Sequence, residues 1–152
     1  MRKIVVLLWT ALILAACDSA NCTLDNTVNT IYLAKDTLHD TLTVSTRRAD
    51  GTLDTLINRG INLTTLTLPI SYNHPEDTFL LSYKRLDAVD TVWVAKEDYP
   101  YFESVECNAS FFHKLTAVRS THVGIDTIVI LNSNVDYYAT IPHFLIYFTP
   151  RD

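Results

Sequence analysis

The distribution of apolar positions divides the chain in two. After Met1-Arg2-Lys3, residues Ile4 to Ala16 are apolar apart from Thr10. From Thr27 onward apolar residues instead alternate with Thr, Ser, Asp and Asn. A period of two marks a half-buried strand, because successive side chains point to opposite faces of a sheet. Nine strands are predicted: Val28–Ala34, Thr41–Ser45, Leu53–Ile57, Asn62–Pro69, Thr78–Lys84, Thr91–Lys96, Ala109–Val118, Thr127–Leu131 and His143–Thr149. Leu42 and Val44 should face inward, as should Phe79, Leu81 and Tyr83. Val92 and Val94 oppose Trp93 and Ala95, and Phe111, His113, Leu115 and Ala117 share a side. Thr64-Thr65 interrupts the alternation and points to a bulge. Thr127–Leu131 and His143–Thr149 are near-continuous apolar runs, which predict strands buried on both faces. Glu97 to Glu106 has no pattern and reads as a loop or one helical turn.

Strands spaced about 10 to 15 residues apart, with turn residues between them, predict an all-β antiparallel sandwich of immunoglobulin-like architecture. A closed β-barrel is the alternative. Glycine is confined to Gly51, Gly60 and Gly124, so most turns fall to Asp and Asn, with Arg59-Gly60 making one of them.

The first segment reads as an export signal: a basic start, then a short apolar run. A membrane-spanning helix needs about 20 apolar residues. This run is shorter, and polar Asp18, Ser19 and Asn21 follow it. Leu14-Ala15-Ala16-Cys17 resembles the lipobox of bacterial lipoproteins. That resemblance implies cleavage after residue 16 and a diacylglycerol thioether on Cys17, with an acylated amino terminus. Several acyl chains give a durable anchor where one gives only reversible binding. An ordinary secretory signal with a chance cysteine is the competing reading. The chain then divides into a signal (1–16), a lipidated tether (17–26) and one β-sandwich domain (27–152).

Charge narrows the partners. The sequence has 12 Lys and Arg against 17 Asp and Glu; removing Arg2 and Lys3 leaves ten against 17, a formal −7. Such a surface repels phosphate backbones, which disfavours nucleic acid. No basic patch suits anionic lipid, so the lipid on Cys17 would be the sole membrane contact. Cys22 and Cys107 remain, and an even pair in an exported protein reads as a disulfide. Closing so long a loop would contribute roughly 4 to 5 kcal/mol. Two free thiols are the alternative; a nucleophilic Cys107 is disfavoured, since no neighbouring Lys or Arg lowers its pKa.

Asp-Thr recurs at 36-37, 40-41, 54-55, 77-78, 90-91 and 126-127, mostly where a strand opens. The plain reading is structural. Asp hydrogen-bonds the nearby backbone and ends a turn, and β-branched Thr begins the extended run. Two further readings compete. Asp-Thr or Asp-Ser before a small or aliphatic residue resembles the O-glycosylation acceptor of Bacteroidota, which makes Ser19, Thr37, Thr41, Thr55, Thr91 and Thr127 candidate sites. Asp77-Thr78-Phe79 does not fit it. Alternatively Asp36, Asp40, Asp50 and Asp54 converge at one sandwich end and bind Ca²⁺, which takes six to eight oxygens.

Catalytic signals are weak. His39, His74, His113, His122 and His143 form no HxH or HExxH set, although His113 and His122 could face each other across strands. No nucleophile elbow or Gly-rich phosphate loop occurs, and nothing selects a carboxylate pair for glycoside hydrolysis. No catalytic residue, metal or cofactor is assigned. The aromatic group Tyr99, Pro100, Tyr101 and Phe102, with Tyr137-Tyr138, is the binding candidate. Such residues either stack on a sugar or anchor a partner, or else cap the core.

Over nearly its whole length the chain also resembles a family of small, uncharacterised Bacteroidota lipoproteins. The resemblance is carried by Cys22, Asn62-Leu63 with Leu68-Pro69-Ile70, Glu106-Cys107, Gly124-Ile125-Asp126 and Ile146-Tyr147-Phe148. It implies lineage and location and brings no activity. With no acidic run behind Cys17, the expected place is the outer membrane, facing the periplasm. The expected role is non-enzymatic: protein–protein interaction or envelope structure, with a glycan- or calcium-binding module as the alternative.

Overall fold

The computed structural model describes Cys22, Leu24 and residues 27–150; the signal, Cys17 and Ser19 lie outside the described residues. Ten strands follow one another: β1 (Val28–Leu38), β2 (Leu42–Arg47), β3 (Leu53–Gly60), β4 (Leu63–Ile70), β5 (Glu76–Tyr83), β6 (Ala88–Tyr101), β7 (Ser110–Ser120), β8 (Ile125–Ile130), β9 (Asn134–Val135) and β10 (Phe144–Phe148). They form two sheets, β4-β1-β10-β8 and β3-β2-β5-β6-β7-β9. The sheets are separate layers and do not close on themselves, so the fold is a β-sandwich and the barrel alternative fails.

The alternation in the sequence sets the inner faces. Val28, Thr30 and Tyr32 of β1, Leu66, Leu68 and Ile70 of β4, and Phe144 and Ile146 of β10 are buried. Across the layer they meet Leu42 and Val44, Phe79, Leu81 and Tyr83, and Val92 and Val94. Tyr32 stacks on Phe144 at 4.4 Å between centroids and meets Phe79 edge-on at 6.4 Å, joining the two sheets. Each such side chain contributes about 1.5–3 kcal/mol by leaving water. The one polar residue in that β1 row, Thr30, donates its hydroxyl to Leu68 O at 3.0 Å.

Several expectations are corrected. The sandwich is antiparallel except that β1 and β10 run parallel, Tyr32 opposite Phe144. Parallel neighbours need a long connection, and here nearly the whole domain supplies it. The stretch Glu97–Tyr101 is not a loop: β6 continues through it, paired with β7 from Glu97↔Lys114 to Tyr101↔Ser110. Its alternation is hidden because charged Lys96 and Asp98 take the side that Val92 and Val94 held. The irregularity at Thr64-Thr65 is real, but the extra residues are in β1: Leu33 pairs with Thr65 and Leu38 with Leu63. β9 has two residues, too few for any period to show. Neither apolar run is buried on both faces: Val129 of β8 and Tyr147 of β10 are exposed.

Candidate functional site

The aromatic candidates lie at the far end of the β6–β7 hairpin. Tyr101 stacks on Phe112 at 4.6 Å, and Tyr72 stacks on Phe111 at 5.0 Å. Phe112 packs against the core, so Tyr101 covers it in part, as capping requires. Tyr99 and Phe102 do not cap: they are 47% and 62% exposed. The hydroxyl of Tyr99 donates to Glu97 at 2.6 Å, which raises its pKa. Tyr137 and Tyr138 form a separate edge-on pair at 5.9 Å, after β9. In the loop closing this hairpin, Cys107 is bonded to Cys22 with Cα atoms 5.6 Å apart. The Leu24 N–H adds a bond to the Glu103 carboxylate at 3.2 Å. The polypeptide therefore enters the domain at the hairpin tip.

Behind the tip stands a buried charge cluster that no sequence motif announces. The Lys96 ammonium bonds His74 O at 2.7 Å and Asp98 Oδ1 at 2.8 Å, with Asp77 Oδ2 at 4.0 Å. His113 Nδ1 meets the same Asp98 oxygen at 2.7 Å. Burial works to raise the Asp98 pKa, but hydrogen bonds from Lys96 and His113 prevail and lower it. Burial raises Asp77 in spite of its bonds from Ser71. Burial lowers His113 against the pull of Asp98. Lys96 and His113 are almost wholly buried, and the cluster clamps β5, β6, β7 and the 71–75 loop together. His122, beyond the end of β7, bonds Asp126 O instead, and the two histidines do not face each other.

At the opposite end is a cavity of about 520 Å³, between the ends of β1, β5 and β10. Leu38, Tyr83, Leu86 and Phe148 give it apolar walls, with Asp36, His39 and Arg85 around it. The volume suits a small molecule or a peptide side chain. Of its two carboxylates, Asp36 and Asp40, Asp40 is engaged with the backbone, accepting the N–H groups of Thr41, Arg85 and Leu86 at 2.6, 2.8 and 3.1 Å. Burial would raise its pKa; the Arg85 N–H, then those of Thr41 and Leu86, lower it.

The Asp-Thr pairs divide by role. Asp90 is buried and accepts from the Tyr83 and Thr121 hydroxyls and from the N–H groups of Val123, Gly124 and Ile125, at 2.7–3.1 Å. These partners lie 30 residues or more away except Tyr83, so Asp90 pins the β7–β8 crossover and is more than a local turn residue. Gly124 is required there: a Cβ would come within 2.8 Å of the Tyr83 ring. Asp40 precedes β2 whereas Asp50, bonded to Thr52, follows it. Six strand residues, about 20 Å, separate them, and Asp54 pairs with Arg48 at 3.0 Å. The four acids do not converge. Among the described residues no three His, Cys, Asp or Glu side chains gather as metal ligands. Of the candidate threonines, Thr55 and Thr127 are exposed, and Thr37, Thr41 and Thr91 are half-buried.

One feature the sequence reading missed is the outer face of the four-stranded sheet. Leu33, Leu145 and Val129 lie side by side across β1, β10 and β8. Ile31, Tyr147 and Leu131 extend the apolar surface, and among the described residues nothing covers it: Leu33, Val129, Leu131 and Tyr147 are exposed. Its signal was present in the runs Ile31–Ala34, Ile128–Leu131 and Leu145–Phe148, which are apolar at successive positions.

Residues 41–148 match a family model described as "Family of unknown function (DUF6452)". No curated protein and no solved structure matches.

Proposed function

The chain belongs to the DUF6452 family of unknown function, and from that premise we propose that it is a non-catalytic lipoprotein of the cell envelope that binds a protein partner. Cys17 carries the lipid, and the domain faces the periplasm from the outer membrane. The lipobox-like Leu14-Ala15-Ala16-Cys17 supports the anchor. The observation that supports partner binding is the uncovered apolar face centred on Leu33, Leu145 and Val129. Three strand segments apolar at successive positions belong to a sheet covered on both sides; here the sandwich covers one side, and a partner covers the other. Contiguous exposed apolar surface of this kind marks interaction sites. A second copy would bring the same charge of −7 against it, so the partner is a different protein with a basic rim.

The test is a photo-crosslinking residue at Leu33 in the host envelope, with and without Val129→Glu. One discrete crosslinked partner is expected, lost on introducing the glutamate while melting changes little. A crosslink only to a second copy, or no protein crosslink at all, contradicts the reading.

The second reading, a ligand-binding module, draws support from the cavity beside Phe148 and Leu86. Phe148→Ala would weaken ligand binding there and leave the Leu33 crosslink intact. O-glycosylation is proposed at Thr55 and Thr127, where exposure leaves room for a sugar. Peptide mass mapping of protein from its own host should find hexose-containing masses on these two; unmodified peptides at both would end the proposal.

A further inference from the structure

The geometry points to the tip of the β6–β7 hairpin as a second membrane contact, seated in the headgroup layer of a leaflet rich in phosphatidylethanolamine. This inference rests on the lipid anchor proposed for Cys17 and goes beyond it. Cys22 is held at Cys107 in the loop that closes the hairpin. Cys17 lies five residues before Cys22, and five residues span at most about 18 Å when fully extended. An acyl chain on Cys17 therefore holds that loop within reach of the bilayer surface.

The residues at that place have the right chemistry. Val105 is fully exposed, Phe102 is 62% exposed, and Tyr99 and Tyr101 stand beside them. In a free domain Val105 and Phe102 leave most of their apolar surface in water. At a membrane interface, aromatic rings with a polar edge settle at headgroup depth. The charge selects the lipid. Glu97, Glu103 and Glu106 belong to the same stretch, and Lys and Arg are absent from 97–109. Carboxylates are repelled by anionic headgroups and attracted by the ammonium of ethanolamine. The disulfide thus does more than close a loop: it sets which end of the sandwich lies on the membrane. The cavity is at the other end of β6, roughly 45 Å away at the rise of a strand of this length.

The experiment uses the lipidated protein in vesicles of phosphatidylethanolamine and phosphatidylcholine with brominated acyl chains. Trp93 is replaced by Phe, and a single tryptophan is placed at Phe102→Trp or, as a control at the cavity end, at Ile61→Trp. The tip tryptophan is expected to shift to the blue and lose most of its emission, the control to do neither, and added phosphatidylglycerol to reduce the quenching. A parallel arm tethers the unlipidated protein by an amino-terminal histidine tag to nickel-chelating lipid. If intact mass shows no lipid on Cys17 but the tip is quenched in the tethered arm, the anchor reading fails and the tip contact stands. No quenching at the tip in either arm, or equal quenching at Ile61→Trp, overturns the inference. A protein crosslink from Phe102 without quenching reassigns the tip to a protein partner and overturns it too.

Discussion

Asp90 shows what one buried residue can fix. Its carboxylate takes three backbone N–H groups and two hydroxyls from the segment that crosses between sheets and from β5. Burial would raise its pKa, and these donors, Val123 and Thr121 first, lower it instead. Asp90→Asn turns two acceptors into an acceptor and a donor facing other donors, at a cost of about 3 kcal/mol. Thermal melting should fall by roughly 10 °C, whereas exposed Asp126→Asn should leave it unchanged. The sequence displayed Asp90 only as one of six Asp-Thr pairs; its distant partners set it apart, and no local pattern encodes them.

Histidine gives the pH dependence. His143 Nδ1 accepts the Ile31 N–H at 3.0 Å, so that nitrogen must stay unprotonated. Burial lowers the pKa of His143, and likewise of His113, below the ordinary histidine value of 6.5. The unfolded chain then binds more protons between that value and the folded one. The stability these groups contribute is complete above about pH 6.5 and is lost as pH falls through that window. Asp77, raised by burial, acts in the opposite sense nearer the carboxylate range. Melting should be lower at pH 5.5 than at 7.5. His143→Asn, whose side-chain oxygen can accept from Ile31, should flatten part of the difference. A profile flat from 5.5 to 7.5 would refute this assignment.

Among the elements, the β6–β7 hairpin with its disulfide carries the most consequence. The bond joins cysteines 85 positions apart, and chain entropy puts its contribution at about 4 to 5 kcal/mol before native strain. Reduction, or Cys107→Ser, should lower the denaturation midpoint accordingly; a midpoint indifferent to reductant would mean the cysteines do not pair. Strands that bury one face were legible in the sequence, as Leu42 with Val44 and Phe79 with Leu81 demonstrate. The signal failed where side chains and environment disagree. Lys96 and Asp98 are charged yet point inward, so the second half of β6 read as a loop. Val129 of β8 and Leu131 just after it are apolar yet exposed, so the run 127–131 read as doubly buried. In both places the local sequence follows a demand other than the core of the isolated sandwich: a charge cluster in one, an uncovered face in the other.

For the whole molecule, these surfaces have an order. The entering chain, the disulfide and the aromatic tip lie together at one end of β6, and the cavity lies at the other. The apolar face of Leu33, Leu145 and Val129 runs along the side. The anchor proposed at Cys17 would give this arrangement its meaning, since it would put the tip on the membrane and leave the side and far end open to the periplasm. The most direct measurement is the intact mass of protein extracted with detergent from its host membrane. The expected mass is that of the polypeptide from Cys17 onward with a diacylglycerol and an amide-linked acyl chain, increased by hexose where threonines are modified. A chain that retains residues 1–16, or one cleaved without lipid, would contradict the anchor and the orientation built on it.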